Sequence, residues 1–365
     1  MRIGIDMLAV RREKTGVGQY AVNVVREMAV RHSEDTLVVF SGAAIFGTRS
    51  PIRRVLYEQL VLPGLLDGEN DLDVVFCPTN VLPLLVRKPA VLTIHDLSFM
   101  GYPRKFPLLN RLYYHVMYRL SARRALMIVA ISNHTKADLV RWLGVPPDKV
   151  KVVYPGISER FRREYDAEIV RQVLEKHDVR KPYVLFVGTL DPGKNAVSLI
   201  EAYARLVGEF DARYNLVVVG QQGRHYRQAF DAVRRLGLEG KVLFTGFVPD
   251  DELPSFYRAA ALFVFPSLYE GFGLPVVEAM ACGTPVVASN SSSLAEVAGD
   301  AALLFDPLDV NGMFGCMRRV LEDDAFRREL GARGMERARA FSWTAAAEEI
   351  HHCLVEVYRN ASALR

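Results

Sequence analysis

The 365 residues are half hydrophobic and 24% charged, a globular composition too long for one ordinary domain and sufficient for two, each able to bury a core. Nothing in it resembles a disordered or low-complexity chain, and its longest apolar runs are too short to span a bilayer, so a cytoplasmic protein is expected. The net charge of +4 divides into about +8 before Lys181 and about −4 after it, so the first half is expected to meet something anionic.

In chain order, short Val- and Ile-rich runs alternate with longer helical patterns, the signature of parallel sheets wound with helices. The first half offers strands RIGID from Arg2, TLVVF from Thr36, DVVFCP from Asp73, AVLTIHD from Ala90, MIVAIS from Met127 and VKVVYPG from Val150. A charged stretch without strand pattern, Arg160 to Lys181, is read as the crossing to a second sheet. That sheet is expected from YVLFVG at Tyr183, NLVVVG at Asn215, KVLFTG at Lys241, ALFVF at Ala261, PVVAS at Pro285 and AALLF at Ala301. The expected architecture is α/β: two Rossmann-like, doubly wound parallel-sheet domains over 1–165 and 178–343, with a helix over 344–365 packing back on the first. Cys77, Cys282, Cys316 and Cys353 stand far apart without CxxC or Cys/His spacing, so reduced thiols and no metal site are expected.

Candidate site residues cluster at strand ends. KTGVGQYAVNVV places Gly16, Val17 and Gly18 ahead of an amphipathic helix. The text is also GxGxxA, but in the dinucleotide fingerprint the first glycine follows its strand at once, whereas MLAVRREKT intervenes here and no acid clearly ends a second strand. A plain turning loop is the other reading. His95 and Asp96 close AVLTIHD at the carboxyl edge, where open α/β sheets bind ligands. His95 is read as donating to a hydroxyl or to developing charge, or else as a buried structural residue. Asp96 is read as an orienting or acceptor-side group.

The following segment, FMGYPRKFPLLNRLYYHVMYRLSARRA, interleaves arginine and lysine with aromatic and aliphatic residues. With no helix-turn-helix, zinc finger or aromatic RNA-binding signature, nucleic acid is not the expected partner. A lipid-phosphate surface and a core helix with an arginine-rich solvent face both fit. Ser132 is placed to cap the helix starting near Asn133, a start read as facing the cleft.

In the second half Lys194 stands at the approach to a helix opening near Ala196, suited to phosphate as a point charge, although a solvated loop lysine fits as well. The Gly220 to Gly223 turn and KVLFTGFV read as supports for a nucleotide. The stretch PSLYEGFGLPVVEAMACGTPVVAS, Pro266 to Ser289, is the most informative. Gly271 and Gly273 loosen the turn after a buried strand and Pro275 suits a first helical turn, so the N–H groups of Gly273 and Leu274 face the sheet edge. That is a seat for phosphate. Glu270 and Glu278 border it, and carboxylates beside phosphate hold hydroxyls, which together describe a nucleotide sugar; a solvated loop glutamate and a helix-start charge remain the plain alternatives.

The string EGFGLPVVE resembles the E-x7-E motif of the retaining glycosyltransferases of family 4, and AMACGTPVVAS and AISNHTKADL are similar to that family's text. The resemblance implies the GT-B fold, with two domains facing across a cleft, and transfer of a hexosyl unit from a nucleotide diphosphate sugar with retention. It assigns the donor diphosphate to Gly16, Val17, Gly18, Lys194, Gly273 and Leu274, and the ribose to Glu278. Glu270, Gly271, Phe272 and His95 take the donor sugar, with Glu270, His95 and Lys194 as the catalytic residues, main chain at Gly246, Phe247 and Val248 the base, and Asp96 and Ser132 the acceptor side. The chain departs from the family pattern at Thr189 and Gly193, where basic residues are usual.

The text GTLDPGKN points to mannose from GDP-mannose and a glycan or lipid-linked saccharide acceptor, with UDP-glucose and UDP-GlcNAc as the other donors. Lacking a DxD or His/Asp cluster, the chain is expected to work without metal or cofactor, in the cytoplasm or at the inner membrane surface. A noncatalytic sugar-nucleotide-binding protein and a dinucleotide oxidoreductase are the competing readings.

Overall fold

The computed structural model describes residues 1–8, 10, 16–41, 55–69, 71–103, 106–210 and 213–363. The chain divides into two compact units, Met1–Gly156 with Ser342–Arg365, and Ile157–Phe341. All twelve strands expected from the apolar runs form, six in each unit, and every pairing is parallel.

In the first unit β1 (Arg2–Asp6), β2 (Thr36–Phe40), β3 (Val74–Cys77), β4 (Ala90–Ile94), β5 (Met127–Ala130) and β6 (Val150–Val152) lie in the order β2-β1-β3-β4-β5-β6. No residue of β3 or β4 is exposed, which is why their sequences are continuously apolar rather than alternating. Connecting helices include α1 (Gly16–Arg31), α2 (Leu108–Arg124) and α3 (Asn133–Leu143). The helix Trp343–Ala363 completes this unit against α1. Tyr20 meets Trp343 edge-on at 5.9 Å, Arg31 donates to Thr344 Oγ1 at 3.0 Å, and His351 Nε2 lies 2.6 Å from Asp35 Oδ2. A Cβ on Gly156 would fall 2.0 Å from the backbone nitrogen of Trp343, so the chain leaving this unit passes the chain returning to it with room only for glycine.

In the second unit β7 (Tyr183–Val187), β8 (Asn215–Val219), β9 (Val242–Gly246), β10 (Leu262–Phe265), β11 (Val286–Ser289) and β12 (Leu303–Phe305) take the order β12-β11-β10-β7-β8-β9. Counted from β7, this is the Rossmann order, and its reversal point lies between β7 and β10. Here α4 (Ala196–Glu209) follows β7, α5 (Leu274–Ala281) follows β10, and α6 (Asp324–Ala338) packs on α5. The large buried phenols are satisfied: Tyr183 donates to the Phe256 carbonyl and Tyr203 to that of Tyr214, each at 2.7 Å. The segment from Arg160 to Lys181 lies within this unit. Arg162 Nη2 donates to the carbonyls of Ala338 at 3.0 Å and Phe341 at 2.8 Å, and the helix Ala167–Lys176 is capped by the Asp166 side chain.

Candidate active site

At the reversal point of the second sheet the loops after β7 and β10 are stitched together. Gly193, in the tight turn Pro192–Lys194, accepts from Leu268 N at 2.8 Å, and its carbonyl oxygen lies 3.0 Å from Ser267 Oγ. That turn is opened by Asp191, whose carboxylate accepts from Gly193 N at 2.8 Å, and closed by Asn195 in the left-handed region. It carries Lys194 to Glu270, where Nζ donates to Oε1, while the lysine nitrogen stands 5.1 Å from the Phe265 ring centroid. Ser267 Oγ donates to the same Glu270 Oε1 at 2.5 Å. The main chain of Glu270 is pinned as well: its N–H donates to Ser292 Oγ at 2.8 Å and its carbonyl accepts from Ser293 Oγ at 3.0 Å. Glu270 is thus held at both ends.

Beyond Glu270 the chain turns through Gly271 and Phe272 into α5. Gly273 supplies the turn at φ +100°, and a Cβ there would meet Leu294 Cδ2 at 2.4 Å. Pro275 occupies the first turn, and the opening amides, that of Leu274 included, present the positive end of the helix at the carboxyl edge. Phe272 is buried, its ring edge-on to Phe341 at 5.3 Å. Its side chain is therefore core.

Glu278 lies on α5, buried, and accepts from the Tyr257 hydroxyl at 2.9 Å. Burial pushes its carboxyl from the ordinary 4.5 up to about 7; the Tyr257 bond and Arg160 oppose the rise and Asp250 adds to it. Arg160 Nη1 lies 3.9 Å from Asp250 Oδ2, so a cation and two carboxylates share this corner. Near it β9 ends at Gly246 with φ +73°, followed by exposed Phe247 and buried Val248. The Gly246 carbonyl accepts from Gly220 N at 2.8 Å, which ties this stretch to the turn after β8. Gly220 and Gly223 are close-approach glycines: a Cβ would stand 2.0 Å from Gly188 O at the first and 2.7 Å from Thr189 Cγ2 at the second. Thr189 thus backs onto the β8 loop.

In the first unit Gly16, Val17 and Gly18 are not ahead of the helix but form the first turn of α1, with Gly18 buried. Residues 9 and 11–15, most of the stretch before them, lie outside the described residues. His95 follows β4 and is buried, edge-on to Tyr20 at 4.7 Å. Its Nε2 is 2.8 Å from the Pro78 carbonyl, which can only accept, so Nε2 carries the hydrogen. Burial lowers its pKa and keeps the ring neutral. The reading of His95 as a donor to ligand is corrected on that ground: its other nitrogen, Nδ1, is an acceptor. Asp96 accepts from Ser98 N at 2.8 Å and opens the short helix Ser98–Gly101. Ser132 does cap α3, accepting from Thr135 N at 3.0 Å, but it is fully buried, and Thr135 in turn donates to the His95 carbonyl at 3.2 Å. It braces the His95 strand end rather than standing open to an acceptor.

Several residues outside the sequence reading shape these edges. Asn80 Oδ1 accepts from His95 N at 2.7 Å, and Asp6, at the end of β1, is buried with its carboxyl raised to about 6 by burial. Tyr257, Arg160 and Asp250 set the state of Glu278, and Ser267 and Ser292 fix Glu270. Only Ser267 had a visible signal, since it lies three residues before the glutamate in the same motif.

The model for glycosyl transferases group 1 matches residues 168–337, and that for glycosyltransferase family 4 matches residues 15–161. O-antigen chain mannosyltransferase B of Escherichia coli is 33% identical over 357 residues, covering 90% of this chain and 93% of that protein. The serotype-specific mannosyltransferase WbdA of Escherichia coli is 31% identical over 348 residues, covering 92% of this chain, which spans 41% of the longer WbdA. Among solved structures, sucrose-phosphate synthase from Thermosynechococcus elongatus superposes with a TM-score of 0.80 at 22% identity over 100% of both chains. Anabaena Alr3699/HepE in complex with UDP and glucose gives 0.77 at 19% identity, covering 98% of this chain and 100% of that one. These two share the fold, and the closer sequence relatives share the family: the chain belongs to glycosyltransferase family 4 and is a glycosyltransferase.

Proposed function

We propose that the protein transfers a mannosyl unit from GDP-mannose, with retention at the anomeric carbon, to the saccharide end of a glycan or lipid-linked acceptor. The observation that carries this reading is the Lys194–Glu270 pair set beside the opening amides of α5 at the sheet's reversal point. The choice of mannose is supported by the mannosyltransferase relatives.

In this reading Lys194 and the amides of Gly273 and Leu274 take the negative charge that builds on the departing diphosphate, the principal catalytic work. The protein supplies that charge itself and takes no metal. Glu270 accepts from hydroxyls of the donor sugar, beside the main chain of Gly271 and Phe272. Glu278 accepts from the ribose, and the main chain from Gly246 to Val248 meets the base. The acceptor hydroxyl attacks from the face the diphosphate leaves, and its proton passes to the departing phosphate, so no side chain is assigned as general base.

The test is a thermal-shift panel of GDP-mannose, UDP-glucose and UDP-GlcNAc, followed by release of the nucleoside diphosphate and the anomeric configuration of the product. A donor at about 100 times its Kd adds roughly 2.7 kcal/mol to stability. A selective shift with GDP-mannose and an α-configured product supports the reading. A selective shift with a uridine donor overturns the mannose assignment, an arm motivated by the fold neighbour solved with UDP-glucose. No shift with any of the three overturns the donor site itself.

A further inference from the structure

The edge of the second sheet that seats phosphate is short of positive charge. The loops after β7 and β10 carry one cation, Lys194, against two carboxylates, Asp191 and Glu270. Lys194 is already paired with Glu270, and Asp191 closes on Gly193 N at the opening of the same tight turn. The ligand expected there, a nucleoside diphosphate, is an anion of about two charges. The opening amides of α5 offset only part of it. Arg160 is engaged elsewhere, at the corner it shares with Asp250 and Glu278.

A further cation is brought to this edge by backbone pairing. β7 and β8 run in parallel register, and their pairing continues past the strand ends: Gly188 N donates to Val219 O and Leu190 N to Gln221 O, each at 2.9 Å, and Leu190 bridges Gln222. Gly223 then lies directly on the β7 loop. A Cβ there would stand 2.9 Å from Leu190 O as well as 2.7 Å from Thr189 Cγ2, so the two loops close only over glycine. On the other side of Thr189, a Cβ on Gly188 would lie 3.7 Å from Lys194 Cδ. Lys194, Gly188, Thr189 and Gly223 thus form one contiguous edge, and the next residue along it is Arg224. Thr189 and Arg224 are both exposed. Arg224 begins the turn that enters the helix Arg227–Arg235, with His225 in the left-handed region at φ +60°.

We propose that Arg224 is a donor-binding residue, its guanidinium donating to phosphate oxygens of the sugar nucleotide from the β8 side while Lys194 meets them from the β7 side. The assignment rests on the proposed donor site and names a residue for it that lies outside the loops after β7 and β10. Charge balance is what requires the residue, and the fastening of the β8 loop to Thr189 and Leu190 is what delivers it. A guanidinium suits the task, because its planar fork gives two parallel N–H donors to one phosphate, whereas the ammonium of Lys194 acts as a point charge. The two cations enter from neighbouring loops, so the diphosphate is held across the gap between them rather than at a single point.

Calorimetric titration of the full chain with GDP and with UDP tests it. For whichever nucleotide binds more tightly, Arg224→Gln should lower affinity about tenfold, and Arg224→Lys, which keeps the charge without the fork, about threefold. Thr189→Arg added to Arg224→Gln should return most of the loss, since it places a cation on the same edge from the other loop. Raising the salt concentration should weaken binding by the parent more than by Arg224→Gln. Melting points equal to the parent's are expected throughout, because positions 189 and 224 are exposed. Affinity unchanged by Arg224→Gln overturns the proposal. An equal loss with Arg224→Lys also overturns it, in favour of the guanidinium plane lying on the base, and so does a lack of recovery with Thr189→Arg. A parent that binds neither nucleotide sinks the donor site, and this assignment with it, whereas tight binding of UDP alone sinks the guanosine donor and leaves Arg224 to be judged by its variants.

Discussion

Lys194 and Glu270 neutralise each other across the gap between β7 and β10, and the carboxylate oxygen that receives the lysine also receives the Ser267 hydroxyl. The pair is a resting arrangement. In the proposed function a diphosphate takes the place of the carboxylate as partner of Lys194, while the Ser267 bond to Glu270 is independent of the lysine and keeps the glutamate in position. Both groups are thereby stored in place and charge-balanced before substrate arrives.

Replacing Lys194 with Met should therefore lower kcat by about a hundred- to a thousandfold, the loss seen when one preorganised donor to developing charge is removed. KM for the sugar nucleotide should rise much less. Steady-state nucleotide release at saturating acceptor separates the two, and an unchanged kcat would remove Lys194 from the chemistry.

Glu278 makes both stability and binding depend on pH. Its carboxyl is raised in the folded state from 4.5 to about 7, so its favourable contribution is complete below about 4.5 and lost as pH rises through about 7. Glu278→Gln should consequently be as stable as the parent at low pH and more stable at pH 8, by up to about 3 kcal/mol. In the proposed function the ionised form accepts the ribose hydroxyls, so nucleotide affinity in the parent should fall as pH drops below about 7, and the variant should bind weakly with no such slope. Calorimetric titration of GDP across the range reads both, and a parallel pH slope in the variant would contradict the assignment.

The Tyr257 hydroxyl favours the charged form of Glu278, against burial. Removing it as Tyr257→Phe should move the inflection of nucleotide binding to higher pH, leaving affinity well above the inflection little changed. Affinity lowered equally at every pH would assign Tyr257 a packing role instead.

Gly273 combines φ +100° with a neighbour, Leu294 Cδ2, 2.4 Å from where a Cβ would be. Gly273→Ala should lower stability by about 1–3 kcal/mol and weaken nucleotide binding, because the opening amides of α5 must shift. Adding Leu294→Ala should return part of the stability and less of the binding. Melting curves and titration of the single and double variants give the comparison.

The strands were the legible part, because burial on both faces forces an uninterrupted apolar run that shows without any long-range information. The turn into α5 was legible for a similar reason: Gly273 and Pro275 have local conformational meanings. The start of α1 was misplaced because Gly16 and Gly18 are poor helix formers, and the helix is held there by tertiary packing of Tyr20 and Val24 rather than by propensity. The hydrogen-bond sense of His95 was not legible, since it depends on the Pro78 carbonyl that β3 brings beside β4. The environment of Glu278 was equally hidden, because Tyr257 is 21 residues away and meets it only through packing of two helices.

The return of the helix Trp343–Ala363 to the first unit has a consequence for how the protein is made. The second unit, Ile157–Phe341, is one uninterrupted stretch, whereas the first lacks its partner for α1 until the helix Trp343–Ala363, which follows the whole second unit in sequence, has been made. The usual order, in which the earlier domain is finished first during synthesis, is therefore reversed for final packing. Until then the flank of α1 that this helix covers stays open, although Tyr20, Val24 and Met28 are buried in the finished unit.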